Sequence, residues 1–244
     1  MRSLKRWLSY KLRLWKRRLH IPIKLVGNIK INAHRIESQW IVNSLLHGYY
    51  EGSEARSLHE LIRPNDRVLE LGTGLAYISC LAAKYAHTGR VLSYEANPEM
   101  VALANETIQL NAIENVEVRN GIIGIETGHV QFYVSKHFWE SSTEPRLDST
   151  IISVPVESMS MVQESFNPNV LIVDIEGGEY ELFKTPFWNA HAGLKTMSIE
   201  FHKCANPFER FSALNFDGWE PNIPLRQVQE SLLHNHQTVT FVRI

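Results

Sequence analysis

The stretch Arg67-Val-Leu-Glu-Leu-Gly-Thr-Gly74 decides the fold of this chain. Its first half is rich in short apolar residues, which favour a buried strand of a parallel sheet. Two glycines follow at once, and residues 77–86 then have the pattern of a helix. A strand, a glycine turn and a helix form the start of a Rossmann-like sheet, where backbone can approach a ligand closely. A dinucleotide fingerprint would need a third glycine at position 77, and Tyr77 stands there instead.

An acidic residue, Glu70, precedes the first glycine by two positions. A carboxylate at that place suits a cationic ligand better than a pyrophosphate. Glu-x-Gly-x-Gly at the end of a first strand resembles the first motif of S-adenosylmethionine-dependent methyltransferases, whose cofactor carries a sulfonium and an amino group. We therefore predict S-adenosylmethionine as the cofactor, bound by Glu70, Gly72, Thr73 and Gly74. The alternative is a tight strand-to-helix turn without a ligand.

A second strand, residues 90–95, ends in another carboxylate, Glu95. In Rossmann-like sheets an acid about twenty residues beyond the glycines grips the hydroxyls of a ribose. Asn97 and Pro98 follow as the cap and first residue of a helix. We therefore predict Glu95 as the ribose ligand and Asn97 as a further cofactor-binding residue. An exposed acid without a ligand is the competing interpretation of Glu95.

The stretch Val170-Leu-Ile-Val-Asp-Ile-Glu-Gly-Gly-Glu179 carries the second group of candidate residues. Four apolar residues predict a buried strand, and Asp174 and Glu176 emerge at its carboxyl end, where open α/β sheets bind ligands. A following strand, residues 194–201, places His202 at the next carboxyl end. We predict Asp174, Glu176 and His202 as the catalytic residues, with Asp174 also contacting the cofactor. A last strand at 238–244 would complete a seven-stranded sheet.

Together these motifs resemble the FkbM family of methyltransferases over roughly residues 23–205. The resemblance lies in Gly48-Tyr-Tyr-Glu51, the glycine turn, Tyr94-Glu-Ala-Asn-Pro98 and Val173-Asp-Ile-Glu-Gly-Gly-Glu179, followed by Ile199-Glu-Phe-His202. It implies an α/β class I methyltransferase fold: a Rossmann-like, seven-stranded, mostly parallel sheet with helices on both faces and an antiparallel last strand. It also implies methyl transfer to a hydroxyl oxygen of a sugar, glycolipid or secondary metabolite.

His202 is the predicted general base for such a transfer, with Asp174 or Glu176 orienting or replacing it, because histidine titrates near neutral pH. No metal is predicted. Asp174 could ligate magnesium as in catechol-type enzymes, yet Glu200-Phe-His202 is not their Asp-Asn pair. Residues 137–145 form an irregular loop that could contact an acceptor or be a variable surface loop.

Acceptors of other classes stay open at this point. Asp174-Ile-Glu-Gly177 lacks the Pro-Pro-aromatic sequence of enzymes that methylate amino groups of nucleic acids, so nucleic acid is not the expected partner. An RNA or protein methyltransferase is nevertheless an alternative. A non-catalytic nucleotide-binding scaffold is another.

Charge is distributed unevenly along the 244 residues. The first 35 residues carry eleven Lys and Arg residues and no acid, although the whole chain has a net charge of −1. Cys80 and Cys204 are the only cysteines and have no metal-ligand spacing, which favours free thiols in a reducing cytoplasm. No apolar run is long enough to span a membrane.

Three regions are predicted: a basic amphipathic helix at 1–22, a hairpin and helices at 23–66, and the Rossmann-like domain at 67–244. In the first helix Leu4, Trp7, Leu8, Leu12, Leu14, Trp15 and Leu19 share one broad arc. Lys5, Arg6, Arg13, Lys16 and Arg17 fall on the opposite arc, and Lys11 and Arg18 intrude on the apolar side. Residues 1–20 suit a membrane surface, which would make the protein cytoplasmic and peripheral on the inner face of a membrane. Packing of the apolar face on the domain, binding of RNA phosphates and a mobile basic tail are the alternatives.

Overall fold

A computed structural model describes residues 2–135, 149–184, 193–202, 204 and 206–244. The helices within these ranges are α1 (Arg2–Arg18), α2 (Gln39–His47), α3 (Gly52–Leu61), α4 (Tyr77–Tyr85), α5 (Pro98–Leu110), α6 (Met159–Ser165), α7 (Glu179–Leu182), α8 (Pro207–Ser212) and α9 (Leu225–Ser231). The strands are β1 (Ile23–Lys24), β2 (Lys30–Ile31), β3 (Arg67–Leu71), β4 (Arg90–Glu95), β5 (Val116–Asn120), β6 (Ile122–Gly124), β7 (Gly128–Val134), β8 (Thr150–Ser158), β9 (Val170–Val173), β10 (Thr196–Phe201), β11 (Trp219–Pro221) and β12 (Gln237–Arg243).

A seven-stranded sheet forms the centre of the fold, with its strands in the order β11–β12–β10–β9–β3–β4–β5. β3, β4, β5, β9 and β10 run parallel, whereas β12 pairs antiparallel with both β10 and β11. This sheet confirms the predicted Rossmann-like class I methyltransferase fold and its antiparallel last strand. The strand order reverses beside β3, and a crevice for ligands opens at such a point, outside the carboxyl ends of the strands.

Helices cover both faces of this sheet. Neighbouring residues of each strand point to opposite faces, so one strand contributes to two cores. Val68 of β3 packs in a core with buried residues of α2, α3, α4 and α5. Leu69 packs in a second core with residues of α6, α7, α8 and α9. Burial on both faces explains the continuous apolar sequence of the central strands.

A smaller sheet lies beside the large one and joins β6, β8 and β7. Strand β7 pairs antiparallel with β8, and β6 pairs parallel with it. Phe132 and Val154 from these two strands form a small core with Ala96. The loop predicted at 137–145 lies outside the described residues.

The segment between the first helix and the large sheet agrees with the predicted hairpin and helices. Ile23 pairs with Ile31 across a turn in which Gly27 has φ of 69°. Helix α2 begins at Gln39, and the side chain of Ser38 caps it by accepting a hydrogen bond from the N–H of Ile41. The next helix, α3, begins at Gly52, directly after Glu51.

The first helix, α1, packs on the domain with a mixed side, on which Leu14 of the predicted apolar arc contacts the domain core beside arginines of the predicted polar arc. Arg13 donates a hydrogen bond to the carbonyl of Leu46, and Arg17 donates one to the carbonyl of Ala33. Tyr10 stacks on His47 from the same side. Within the described ranges, no helix combines the length and apolar character that crossing a membrane requires.

Candidate active site

The glycine turn after β3 brings the ends of two strands into contact. Gly72 and Gly74 have φ angles of 92° and 52°, which side chains disfavour. A Cβ atom at Gly72 would lie 1.7 Å from the carbonyl oxygen of Asp174, and the N–H of Asp174 donates to Leu71 at 2.9 Å. Glycine is therefore required at position 72, and the turn lies directly beside the end of β9.

Glu70 lies beneath this turn and is almost fully buried, with 1% of its surface exposed. Its Oε2 accepts hydrogen bonds from the hydroxyls of Ser79 and Ser93, the latter at 2.6 Å. Burial raises the pKa of Glu70 to about 7, although the two hydroxyls oppose that shift. Thr73 is also buried, and its Oγ1 lies 2.6 Å from the Oγ of Ser93.

Glu95 links the glycine turn to the start of α5. Its Oε2 accepts a hydrogen bond from the N–H of Gly74 at 3.0 Å, and its Oε1 accepts one from the N–H of Asn97 at 2.9 Å. The side chain of Asn97 is buried, and its Oδ1 accepts from the N–H of Glu99 as the cap of α5. The predicted N-cap is thereby confirmed. The cofactor-binding roles of Glu95 and Asn97 stay predictions.

Asp174, Glu176 and His202 come together at the carboxyl ends of β9 and β10, as the sequence predicted. The Nε2 of His202 lies 3.1 Å from Glu176 Oε2 and 3.6 Å from Asp174 Oδ1. The side chain of Asp174 is about one third exposed (32%), yet its Oδ1 is buried and has no hydrogen-bond partner among the described residues. Burial, opposed by His202, raises the pKa of Asp174 to about 8.

Glu179, which no sequence argument singled out, holds His202 from the opposite side. It is fully buried, and its Oε1 accepts hydrogen bonds from the backbone N–H of His202 at 2.7 Å and from its Nδ1 at 2.8 Å. Its Oε2 accepts from the N–H of Gly177 at 2.8 Å. The prediction that Asp174 or Glu176 orients His202 therefore omitted its main anchor. Glu179 was in the quoted motif, but only the paired strands reveal what it contacts.

The surroundings of His202 bear on its predicted role as a base. Burial disfavours the charged ring, but the hydrogen bonds to Glu176 and Glu179 prevail and raise the pKa of His202 to about 12. An imidazolium has no lone pair with which to accept a proton. The general-base role of His202 stays a prediction, and this geometry disfavours it near neutral pH.

A cavity between the glycine turn and the end of β10 is lined by several carboxyl groups. They are Glu51, Glu54, Glu70, Asp174 and Glu200. Burial raises the pKa values of Glu51 and Glu200 well above the ordinary range for glutamate. Glu51, which adopts φ of 44° directly before α3, also has a buried Oε2 without a hydrogen-bond partner among the described residues. A concentration of buried carboxyl groups fits a positively charged ligand.

Comparison with known proteins assigns a class to this site. Residues 41–128 match the family model described as TRM5/TYW2 methyltransferase domain. A ribosomal protein L11 methyltransferase from Chloroflexus aurantiacus is 28% identical over 119 residues, which cover 48% of this chain and 34% of that protein. An arsenite methyltransferase from Halobacterium salinarum is 40% identical over 62 residues, which cover 25% of this chain and 16% of that protein. Residues 41–128 are therefore similar to the methyltransferase domains of known S-adenosylmethionine-dependent enzymes.

The matches cover only part of this chain. The family model spans the glycine turn, Glu95 and Asn97 but ends before Asp174. The matches cover about one third or less of the two curated relatives. Among solved structures, a putative rRNA-methylase from Clostridium thermocellum superposes with a TM-score of 0.49 at 10% identity, covering 80% of this chain and 95% of that one.

The cofactor of this domain is S-adenosylmethionine, and the residues present fit it. The carboxyl groups of the cavity complement a positively charged sulfonium and amino group. The glycine at position 72 keeps backbone, rather than a side chain, at the crevice. Glu95 lies at the end of β4, where a ribose is expected.

A metal is a further chemical option for this site. Asp174, Glu200 and His202 could each offer one ligand atom, and these atoms lie within 4.8 Å of one another. Both ring nitrogens of His202 already contact carboxylates, Nδ1 that of Glu179 and Nε2 that of Glu176. A metal ion at Nε2 would therefore have to displace Glu176. That the site works without a metal stays a prediction.

Proposed function

We propose that the domain transfers a methyl group from S-adenosylmethionine to a hydroxyl oxygen of a sugar, glycolipid or related secondary metabolite, as members of the FkbM family do. The observation that carries this proposal is the buried Oδ1 of Asp174 beside the glycine turn, which accepts no hydrogen bond from the described residues and lies 3.6 Å from the Nε2 of His202. A carboxylate oxygen in that state can accept a proton from an acceptor hydroxyl. The resemblance of Val173–Glu179 to the FkbM motif supports the same class of acceptor.

S-adenosylmethionine, when bound, supplies a methyl group on a positively charged sulfur. Asp174 would take the proton of the acceptor hydroxyl as that oxygen receives the methyl group, and Glu70, Gly72 and Glu95 would hold the cofactor. His202 acts as a positioning residue, because its positive charge 3.6 Å from Asp174 Oδ1 favours the carboxylate form. Glu176 and Glu179 hold the imidazolium in place.

The pH dependence of turnover distinguishes Asp174 from His202 as the base. A carboxyl group with a pKa near 8 must lose its proton before it can act, so kcat should rise with pH and level off above about pH 8 to 9. Asp174→Asn should lower kcat by about 100-fold or more and abolish that rise. The exposed Asp217→Asn is the matched control and should behave as the parent protein. A pH profile that persists in Asp174→Asn but disappears in His202→Gln would restore His202 as the base.

The second candidate acceptor is a macromolecule, suggested by the L11 methyltransferase relative, whose name points to a ribosomal protein. RNA is the weaker form of this alternative, because its phosphates would meet a cavity lined by five carboxyl groups. An acceptor side chain of a protein has no phosphate and would not be repelled by these carboxyl groups.

One labelling experiment decides between these acceptors and a scaffold without activity. The full chain is incubated with methyl-labelled S-adenosylmethionine and separated host lipid, polysaccharide, small-molecule, RNA and protein fractions. Label in an alkali-stable ether of a glycan, glycolipid or small molecule supports the proposal. Label only in RNA or protein overturns it in favour of the second candidate, and no transfer together with intact cofactor binding supports the scaffold.

A further inference from the structure

Helix α1 presents its apolar side to solvent. Five large apolar side chains of α1 and the residue after it are more than half exposed: Trp7 (54%), Leu8 (53%), Leu12 (52%), Trp15 (55%) and Leu19 (52%). At 100° per residue they form one continuous stripe along the helix. We call these five residues the apolar stripe.

The opposite side of α1 contacts the domain and contains two arginines. Arg13 and Arg17 are partly buried there and donate hydrogen bonds to backbone carbonyls of Leu46 and Ala33. Burial lowers the pKa of Arg13. Tyr10 and Leu14 pack against the domain core beside these arginines, whereas both tryptophans of the helix lie outside that contact. The observed orientation therefore leaves the apolar stripe available for another partner.

Basic side chains accompany the apolar stripe on the exposed side. Lys5, Lys11 and Arg18 are exposed, and the chain has no acidic residue before Glu37. An exposed apolar patch together with positive charge is complementary to the surface of a membrane that contains anionic lipids. A second copy of this helix is a poorer partner, because its basic side chains would repel those of the first. RNA is also a poorer partner, because it has no apolar interior into which the apolar stripe could insert.

We propose that α1 lies in the plane of a membrane containing anionic lipids, with the apolar stripe inserted among the acyl chains and Arg13 and Arg17 fixing the helix to the domain. The 17 residues of α1 would extend about 25 Å along the surface at about 1.5 Å per residue. Tyr10 and Arg13 contact the end of α2, only a few residues before Glu51 of the cavity. Binding would therefore hold the active site close to the lipid surface. This inference does not depend on the proposed acceptor.

Vesicle co-sedimentation with the full chain tests the proposal. The chain should bind vesicles of phosphatidylcholine with about one third phosphatidylglycerol and bind pure phosphatidylcholine at least about tenfold more weakly. Leu12→Ser combined with Trp15→Ser should reduce binding about 25-fold, about fivefold for each half-exposed side chain lost. The matched control combines Ile125→Ser and Leu233→Ser, which change exposed apolar residues elsewhere and should leave binding unchanged.

A charge series and a depth measurement complete the test. Lys11→Gln with Arg18→Gln should weaken binding about fivefold for each charge removed, whereas the exposed Lys195→Gln should have no effect. Brominated acyl chains should quench tryptophan fluorescence in the parent protein and much less in Trp7→Phe combined with Trp15→Phe. The proposal would be overturned if the chain bound both vesicle types equally or bound neither. It would also be overturned if Ile125→Ser with Leu233→Ser reduced vesicle binding as much as Leu12→Ser with Trp15→Ser. So would a lipid-independent dimer that Leu12→Ser with Trp15→Ser converts to a monomer.

Discussion

Replacing Glu179 with glutamine should destabilise the fold and lower the pKa of His202 at the same time. Glu179 is fully buried and accepts three hydrogen bonds, two from His202 and one from the N–H of Gly177. A glutamine amide keeps the shape but turns one acceptor oxygen into a donor, which would face another donor. It also leaves the buried imidazolium without its closest negative charge.

The expected loss follows from the burial of this pair. Removing one partner of a buried, hydrogen-bonded ion pair costs about 3 to 5 kcal/mol. Because glutamine retains one acceptor oxygen and Glu176 still contacts Nε2, we expect a loss of about 3 kcal/mol in the free energy of unfolding. The raised pKa of His202 contributes stability that is fully present below its ordinary value of 6.5 and is lost as pH rises through about 12. The difference between parent and variant should therefore be largest near pH 6 and should shrink at alkaline pH.

Urea unfolding monitored by circular dichroism from pH 6 to 9 measures this difference, and NMR follows the ring proton of His202. That proton should not titrate below about pH 11 in the parent protein, and its midpoint, followed up to about pH 12, should fall by at least about one pH unit in Glu179→Gln. The control is Glu181→Gln, an exposed neighbour on α7 that pairs with Lys184 and should cost at most about 0.5 kcal/mol. A loss below about 1 kcal/mol in Glu179→Gln, or an unchanged midpoint, would refute the assignment of Glu179 as the anchor of His202.

Three further predictions concern the cofactor and the metal. Calorimetry should detect binding of S-adenosylmethionine but not of NAD. Glu95→Gln should weaken S-adenosylmethionine binding about tenfold, whereas the exposed Glu99→Gln should not weaken it. If both variants bound S-adenosylmethionine with the same affinity, Glu95 would not be a cofactor ligand. Gly72→Ala should abolish cofactor binding or folding because its Cβ would overlap the backbone at the end of β9, whereas Gly128→Ala, with open space around it, should be neutral by thermal unfolding. Turnover should survive a chelator because both nitrogens of His202 already contact carboxylates, and restoration of lost activity by Mg²⁺ would show the contrary.

Local patterns were sufficient to predict the strands that carry the site. The glycine turn, the acid at the end of β4 and the apolar run before Asp174 each lie within one short stretch, and parallel strands bring their carboxyl ends to the same edge. That is why Glu70, Glu95, Asp174, Glu176 and His202 could be named in advance. The cap at Asn97 was predictable for the same reason, since it depends only on its own helix.

The contacts of those residues depended on the tertiary structure. Glu179 and His202 are 23 residues apart and meet only because β9 and β10 pair in one register. Glu51 ends a quoted motif, but it and Glu54 line the cavity only because the start of α3 lies beside the carboxyl ends of the strands.

The first helix separates the two kinds of information most clearly. The sequence alone determined that α1 is amphipathic and basic, because a period of about 3.6 residues is a property of the helix itself. Which side faces the domain was decided by partners outside the helix: the carbonyls of Leu46 and Ala33 accept hydrogen bonds from Arg13 and Arg17, and the apolar stripe is left outside. Periodicity defines the two sides of a helix, whereas only the surface against which it packs decides which of them is buried.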